Sequence, residues 1–243
     1  MIIRYAVKSC QGSRSYNEDT VQVHETEGQR LCVLADGLGG QGHGEVASRT
    51  AVNSVIHRAA WDRENEQFIA AAIEGAQCAV REKRKENAEY RNMCTTLVLL
   101  MITGRTARWG HIGDSRLYMF RRNKVYYQTV DHSVPQMLVA AGEIDEKEIR
   151  HHPDRNRLVR VMGMEWDEPK YQVSEPMPEE PGQAFLLCSD GFWENIEEEQ
   201  MEACLQKSAN PHEWLERMEK IVVKNGRGTN MDNYSAIVVF AGV

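Results

Sequence analysis

The chain has 243 residues, of which 42% are hydrophobic and 27% charged, an ordinary balance for a globular protein with one full core. Its formal net charge of −7 argues against nucleic acid or an anionic membrane as the main partner. No apolar stretch reaches the roughly 18 residues of a membrane helix. The 6 cysteines include no C-x-x-C pair and no leader pattern precedes them, so we expect reduced thiols in a cytoplasmic protein.

The first part of the chain alternates strands and helices. Strands are predicted over Ile2–Ser9, Thr20–Thr26 and Arg30–Ala35. The last of these is an apolar run that ends on Asp36 and Gly37, and further glycines leave the space beside Asp36 open. Two helices with one apolar face follow, one over about 46–60 and one over about 64–85.

Strands dominate the middle of the chain. An antiparallel meander of four strands is predicted over Thr95–Thr103, Thr106–Ile112, Ser115–Arg121 and Lys124–Thr129, followed by a short helix over Ser133–Ala141. The charged span from Gly142 to Pro169 is predicted to run over the surface, as long loops beside binding sites do.

Strands and helices alternate again towards the C-terminal end of the sequence. Strands are predicted over Lys170–Val173, Gln183–Cys188 and Tyr234–Phe240, and helices over Glu197–Lys207 and Pro211–Lys224.

Carboxylates stand at the ends of predicted strands. Two apolar strands end on the same Asp-Gly pair, and the full set is Glu18, Asp19, Asp36, Asp114, Asp190 and Asp232. Taken singly, each is most simply a turn or cap residue. Taken together they would repel one another, and an all-oxygen cluster suits a hard cation such as Mg²⁺ or Mn²⁺. The set therefore favours a metal site.

Six motifs occur in a specific order along nearly the whole chain. They are Arg14-x-x-Asn17-Glu18-Asp19, Asp36-Gly-x-Gly-Gly, Gly113-Asp114-Ser-Arg116, Asp131-His132-Ser133, Ser189-Asp190-Gly191 and Asp232-Asn233-Tyr-Ser. In this order they resemble the motifs of the type 2C, metal-dependent protein serine/threonine phosphatases, and the compact length resembles the bacterial branch. The resemblance implies an α+β fold, a four-layer α-β-β-α sandwich of two antiparallel sheets packed face to face with helix pairs on the outer faces.

The resemblance also implies a centre of two Mg²⁺ or Mn²⁺ ions. Asp36 would bridge the two ions and the Gly37 carbonyl would ligate one of them. Asp190 and Asp232 would complete the first metal, and Glu18 would approach the second, through water. Asp114, with Asp190 shared, matches the position of a third, weaker ion in bacterial members.

The catalytic roles follow from the same resemblance. A water or hydroxide that bridges the ions would attack phosphorus directly, without a covalent phosphoenzyme. Asp19 would anchor metal-bound waters, and Arg14 would bind the substrate phosphate through its planar fork. Two positions depart from the family pattern: Leu38 replaces a histidine of some members, and Gln41 replaces a histidine common in bacterial ones. We expect neither departure to abolish activity.

The span of about 142–168, within a single domain over 1–243, resembles the family's flap beside the cleft. Four arginines make it locally basic: Arg150, Arg155, Arg157 and Arg160. They either steer phosphopeptides or form salt bridges with the flap's own acids, Glu143, Asp145, Glu146 and Glu148.

The expected function is hydrolysis of phosphoserine and phosphothreonine in proteins. The expected partners are phosphorylated proteins and a cognate serine/threonine kinase, with a monomer as the default state. The alternative is a catalytically silent module that binds phosphoproteins on the same fold. A metal phosphoesterase for nucleotides is less well supported, because the sequence indicates no base-binding pocket.

Overall fold

The computed structural model describes residues 4–26, 28–39, 42–59, 67–104 and 106–241. The strands are β1 (Arg4–Cys10), β2 (Thr20–Thr26), β3 (Gln29–Ala35), β4 (Gly37–Leu38), β5 (Cys94–Thr95), β6 (Leu97–Thr103), β7 (Thr106–Ile112), β8 (Arg116–Arg121), β9 (Lys124–Gln128), β10 (Gln172–Val173), β11 (Met177–Pro178), β12 (Gln183–Cys188) and β13 (Tyr234–Ala241). The helices are α1 (Gly44–Ala59), α2 (Phe68–Glu86), α3 (Val134–Ala140), α4 (Asp190–Trp193), α5 (Glu198–Gln206) and α6 (Pro211–Gly226), with 3-10 helices at Ala88–Asn92 and Glu146–His151. None of the helices in these ranges is long and apolar enough to cross a bilayer.

Two antiparallel sheets form the centre of the molecule. The first sheet has the order β1-β13-β12-β8-β9, and the second has the order β10-β7-β6-β3-β2, with β11 also paired to β7. Along β3, Cys32 and Leu34 point into the space between the sheets, while Leu31, Val33 and Ala35 pack against helices. This alternation is the two-residue period of a strand that is buried on both faces.

Helices cover both outer faces. Helices α1 and α2 pack on the second sheet through a core that includes Val52, Phe68 and Ile73. Helices α5 and α6 pack on the first sheet around Trp214, whose ring lies edge-on to Phe120 with centroids 5.1 Å apart. The predicted four-layer α-β-β-α sandwich is therefore confirmed.

The predicted four-strand meander is wrong. Strands β6 and β7 form a hairpin in the second sheet, whereas β8 and β9 belong to the first. The chain crosses between the sheets at Gly113, whose φ of 101° is in the left-handed region. A Cβ at this residue would lie 2.6 Å from the Thr96 side chain, so the crossing requires glycine.

Other predicted bounds differ in detail. The strand predicted over Thr95–Thr103 is two strands, β5 and β6, because Thr96 leaves the ladder to bond Asp36. The short elements α4 and β11 were not predicted, because four and two residues are too few to show a period. Residues 2–3, 60 and 64–66 of the predicted first strand and first two helices lie outside the described residues, as does Gln41.

A buried ion pair supports the strand β8. The Arg116 guanidinium donates two hydrogen bonds to the Asp131 carboxylate, at 2.9 and 2.7 Å, and a third to the Tyr118 hydroxyl. Both charged side chains are at most 4% exposed. Arg116 also lies over the Trp193 ring, 3.5 Å from its centroid. The charges are thus satisfied inside the protein.

Removing one partner of this pair is expected to destabilise the fold. Asp131→Asn removes the carboxylate that accepts two hydrogen bonds from the buried Arg116 and leaves it with Glu198, 3.9 Å away, which costs about 3 kcal/mol of unfolding free energy. The control is Lys124→Ala, which removes a lysine that is 75% exposed from its pair with Glu202 and costs below about 1 kcal/mol, because the Val125 N–H still bonds Glu202. Urea denaturation measures both values, and equal effects would contradict the account.

Candidate active site

Strand pairing brings the predicted acids to one end of the sandwich. Asp36 follows β3, and β2 begins opposite the end of β3, with Thr20 paired to Ala35. Asp190 follows β12, and Asp232 precedes β13, which pairs with β12 up to Cys188 and Ala236. Because antiparallel neighbours start and stop at shared edges, the end of one strand and the start of the next meet there. Asp36 comes from one sheet, and Asp190 and Asp232 come from the other.

Backbone hydrogen bonds hold Asp36 and Gly37. The Asp36 N–H donates to Thr96 Oγ1, and the Thr96 N–H donates to the Asp36 carbonyl, both at 2.9 Å. The Gly37 N–H donates to the Glu18 carbonyl at 3.2 Å. A Cβ on Gly37 would lie 2.2 Å from the Gly44 carbonyl oxygen, so this residue must be glycine.

Gly191 permits a similar approach in the first sheet. A Cβ there would lie 2.1 Å from the Asn233 carbonyl oxygen. The Asn233 side chain fixes the loops around it, since it accepts from the Glu18 N–H at 2.8 Å and donates to the Gln11 and Tyr16 carbonyls. Asn233 therefore joins the loops that carry Glu18 and Asp232, and Gly191, the residue after Asp190, packs against its carbonyl.

Asp19 is buried beneath this cluster, with 8% of its surface exposed. The Ser189 hydroxyl donates to its Oδ2 at 2.8 Å, while its Oδ1 is buried with no hydrogen-bond partner among the described residues. An unsatisfied buried carboxylate oxygen costs free energy unless a donor or a cation meets it.

The acids raise one another's pKa values. Burial is the largest cause for Asp36, whose pKa is raised well above its usual value, and the charges of Asp19 and Asp190 add to the shift. Burial, followed by the charge of Glu194, raises the pKa of Asp190 to about 7. Burial likewise raises the pKa of Asp19 to about 7. Ionisation of this cluster at neutral pH therefore needs compensating positive charge.

Glu18 and Asp114 lie at the margins of the cluster. The Glu18 carboxylate accepts a hydrogen bond from the Gly44 N–H at 3.0 Å. Burial raises the pKa of Asp114 well above its usual value, and Asp190 is its next cause. The Trp193 indole donates to the Asp114 carbonyl at 3.0 Å, which ties this loop to α4. His132 accepts a hydrogen bond from the Gly113 N–H at 3.1 Å, and burial lowers the pKa of its imidazole to about 3.

Arg14 is close to the acids and forms an ion pair with one of them. Its guanidinium donates to both oxygens of Asp232, at 2.9 and 2.6 Å. The two side chains are 45% and 37% exposed, so a phosphate can compete with Asp232 for this arginine. The sequence did not predict this pairing.

The flap arginines pair with acids other than those predicted. Arg150 is buried against Glu197 and Glu198, and Arg155 meets Glu194 at 2.9 Å. Among the described residues, Arg157 is the flap arginine whose side chain pairs with an acid of the flap, Asp154 at 3.3 Å. The predicted partners Glu143, Asp145, Glu146 and Glu148 are therefore wrong, because the flap folds onto the segment after α4 and onto the start of α5.

Sequence reasoning missed two residues of the site. Glu194 directly follows α4 and its charge raises the pKa of Asp190, and Thr96 accepts a hydrogen bond from the Asp36 N–H. Both follow elements too short to show a pattern. Among the described residues, Glu197, Glu198 and Glu199 form a group of three carboxylates within 4.8 Å of one another, and no three of the predicted ligands meet this distance.

Comparison with known proteins defines the class. The family model described as "Protein phosphatase 2C" matches residues 8–226, so the chain belongs to this family. A serine/threonine protein phosphatase, PstP of Mycobacterium tuberculosis, is 31% identical over 242 residues, which are 98% of this chain and 45% of that protein. The chain thus spans about half the length of this relative. A serine/threonine phosphatase, stp of Listeria monocytogenes, is 30% identical over 93% of this chain and 90% of its own.

Solved structures show the same fold. The chain matches the serine/threonine phosphatase PstP/Ppp of Mycobacterium tuberculosis with a TM-score of 0.87, 29% identity and 99% coverage of both chains. It also matches the catalytic domain of PstP in complex with two manganese ions, with a TM-score of 0.83, 28% identity and coverage of 98% and 97%. The resemblance drawn from the sequence is confirmed.

The residues present fit a centre of two Mg²⁺ or Mn²⁺ ions. The donors are carboxylate and carbonyl oxygens, which hard cations prefer. The mutually raised pKa values of Asp36 and Asp190 and the unpartnered Oδ1 of Asp19 are the features that bound cations relieve. The individual ligand assignments stay predictions.

The clustered acids are expected to make the metal-free protein less stable as pH rises. A carboxyl whose pKa is raised on folding stabilises the folded state fully when the pH is below its unfolded pKa, about 4. This stabilisation is lost as the pH rises towards the folded pKa, which is about 7 for Asp19 and Asp190. In EDTA, the free energy of unfolding of Asp36→Asn should therefore rise by about 2 kcal/mol relative to that of the wild type between pH 5 and pH 7.5.

Urea denaturation at the two pH values measures this difference. The control is Asp167→Asn, which removes an exposed acid outside the cluster and should show no such change. A wild type and an Asp36→Asn variant with parallel pH profiles would contradict the electrostatic account.

Proposed function

We propose that the chain is a metal-dependent phosphatase that hydrolyses phosphoserine and phosphothreonine in proteins. The observation that carries the proposal is the convergence of acids from both sheets and one arginine at a single edge, in a member of the protein phosphatase 2C family. The relatives' names, serine/threonine phosphatases, support the same substrate class.

An open polar cleft beside the acids offers room for a phosphorylated segment. It has a volume of about 700 Å³ and is lined by Arg14, Asp190, Asp232 and Glu194, with Arg150 and Arg155 on the flap side. A cleft that is open at its rim suits a residue held on a protein chain, because the rest of that chain can remain outside.

The chain's residues divide the work of phosphate-ester hydrolysis. Asp36, Asp190, Asp232 and the Gly37 carbonyl would hold the two ions, with Glu18 near the second and Asp114 near a third. When bound, Mg²⁺ or Mn²⁺ lowers the pKa of water and neutralises phosphoryl charge. Arg14 exchanges Asp232 for two phosphoryl oxygens and orients the ester. Asp19, buried with one oxygen unpartnered, accepts a proton or a hydrogen bond from water.

The silent-module alternative is disfavoured by the residues present. A non-catalytic relative has no need of the ligating acids or the phosphate arginine, yet Arg14, Asp36, Asp190 and Asp232 are all present. The biological setting we propose is a cytoplasmic monomer, a single domain with a flap over about 142–168, that opposes a serine/threonine kinase. The six cysteines are free thiols, in keeping with this setting.

Asp36→Asn is expected to lower kcat for a phosphothreonine peptide by about 100-fold or more, since it removes a carboxylate that would hold both ions. EDTA should abolish wild-type turnover and Mn²⁺ should restore it. Asp167→Asn serves as the control, with wild-type rates expected. Turnover that survives EDTA, or binding of phosphopeptides with no turnover in Mn²⁺, would contradict the proposal.

The flap arginines are expected to act on phosphopeptides more than on small substrates. Replacing Arg155 and Arg157 with alanine should raise KM for a phosphopeptide more than for an aryl phosphate, because only the peptide extends beyond the metal centre to the flap. Arg155→Lys keeps the positive charge next to Glu194 but removes the planar guanidinium group. It therefore separates the effect of the charge from that of the guanidinium geometry. Equal changes in KM for both substrates would remove the steering role.

A further inference from the structure

A second charged groove lies at the C-terminal end of α2. Four cations line it: Arg81, Arg84 and Lys85 on α2, and Arg91 on the 3-10 helix that follows. Gly163 and Glu165 of the flap form the opposite wall, and the groove encloses about 720 Å³. We call these four cations and the space between them the basic groove. It contrasts with the protein's net charge of −7.

The charge of Arg84 is not neutralised by an acid. Its guanidinium donates to the backbone carbonyls of Arg91, at 2.7 Å from Nε, and of Gly163. Carbonyl oxygens carry no net charge, so these bonds orient Arg84 and leave its positive field in the groove. Arg84 therefore joins the 3-10 helix to the flap and keeps the groove's shape.

The other cations are accessible. Arg81 pairs with Glu165 at 3.1 Å and Lys85 pairs with Glu82 at 2.7 Å. Both side chains of each pair are at least 41% exposed. Exposed ion pairs of this kind contribute little to stability, so a competing anion can displace the acid. Arg91 is exposed and has no ion-pair partner within the part of the chain that the structure describes.

The basic groove is close to the candidate active site. Arg91 and Thr95 are four residues apart, so their Cα atoms are separated by at most about 14 Å. Thr95 pairs with Gly37, which adds about 5 Å. Tyr90, next to Arg91, contacts His43 of the glycine-rich loop, with ring centroids 5.0 Å apart. The Arg91–Thr95 and Thr95–Gly37 separations add to at most about 20 Å, which about six extended residues can span.

We propose that the basic groove binds a second anionic side chain of the phosphoprotein substrate, a phosphoryl group or a carboxylate, within about six residues of the phosphoserine or phosphothreonine in the cleft. This inference rests on the proposed function. Guanidinium groups match phosphate and carboxylate oxygens in pairs, and clustered cations raise the local concentration of an acidic segment. The groove therefore selects multiply phosphorylated or acidic sequences.

The test compares substrates that differ only in the second anion. Phosphothreonine peptides of about 12 residues carry phosphoserine, glutamate or glutamine about three to six residues from the phosphothreonine, on either side. The chain is wild type, Lys85→Ala/Arg91→Ala, or the control Lys207→Ala/Lys220→Ala, which makes the same charge change at exposed lysines on the α5–α6 side. Thermal unfolding checks that both double variants fold.

The wild type is expected to show a KM about 3- to 10-fold lower for the phosphoserine or glutamate peptide than for the glutamine peptide, an advantage that high salt reduces. Lys85→Ala/Arg91→Ala should lose the advantage while KM for the glutamine peptide changes little, and the control should keep it. Equal KM values for all three peptides in the wild type, or equal losses in both double variants, would overturn the inference.

Binding separates this inference from the proposed function. Fluorescence anisotropy of the labelled peptides on the Asp36→Asn chain reads the groove without turnover. If all peptides are turned over, and neither KM nor binding favours the peptides with a second anion, the groove inference is overturned and the phosphatase proposal stands. A binding preference that Lys85→Ala/Arg91→Ala removes, without turnover of any peptide by the Mn²⁺-loaded wild type, overturns the phosphatase proposal and supports the groove.

Discussion

Repulsion between carboxylates at one edge of the sandwich is the constraint on which the rest of the structure depends. Asp19, Asp36 and Asp190 share a small, largely buried volume, and each makes ionisation of its neighbours harder. A fold optimised for stability alone would not gather them. The two sheets, their pairing and the glycines at Gly37 and Gly191 supply the rigidity that holds the acids together in spite of this cost.

Each supporting contact includes a backbone N–H or carbonyl group, and two of the partners are buried side chains. Asp36 is fixed by reciprocal hydrogen bonds with Thr96, and the Glu18 N–H is fixed by the Asn233 side chain. The acceptor side chains, Thr96 and Asn233, are buried, so they hold these backbone segments in place without a ligand to organise them. Arg14 differs, since it is exposed and paired to Asp232, and it is the residue of the site best able to change partner.

The sequence predicted the layers and most elements, because long apolar runs such as β3 and β12 carry a clear signal. It also located the acids, because each follows or precedes such a run. It could not show that the chain leaves one sheet for the other at Gly113, since strand patterns do not say which neighbour a strand pairs with. The pairings of Arg14 with Asp232 and of Arg155 with Glu194 depend on residues distant in sequence, which no local pattern encodes.

Asp36 belongs to one sheet, whereas Asp190 and Asp232 belong to the other. A cation that these acids held together would therefore cross-link the two sheets. By mass action, every tenfold rise in free cation above its dissociation constant adds about 1.4 kcal/mol to the folded state. The melting temperature of this protein should thus rise with the concentration of free cation. Chelation should weaken the packing between the two sheets before it affects either helical layer.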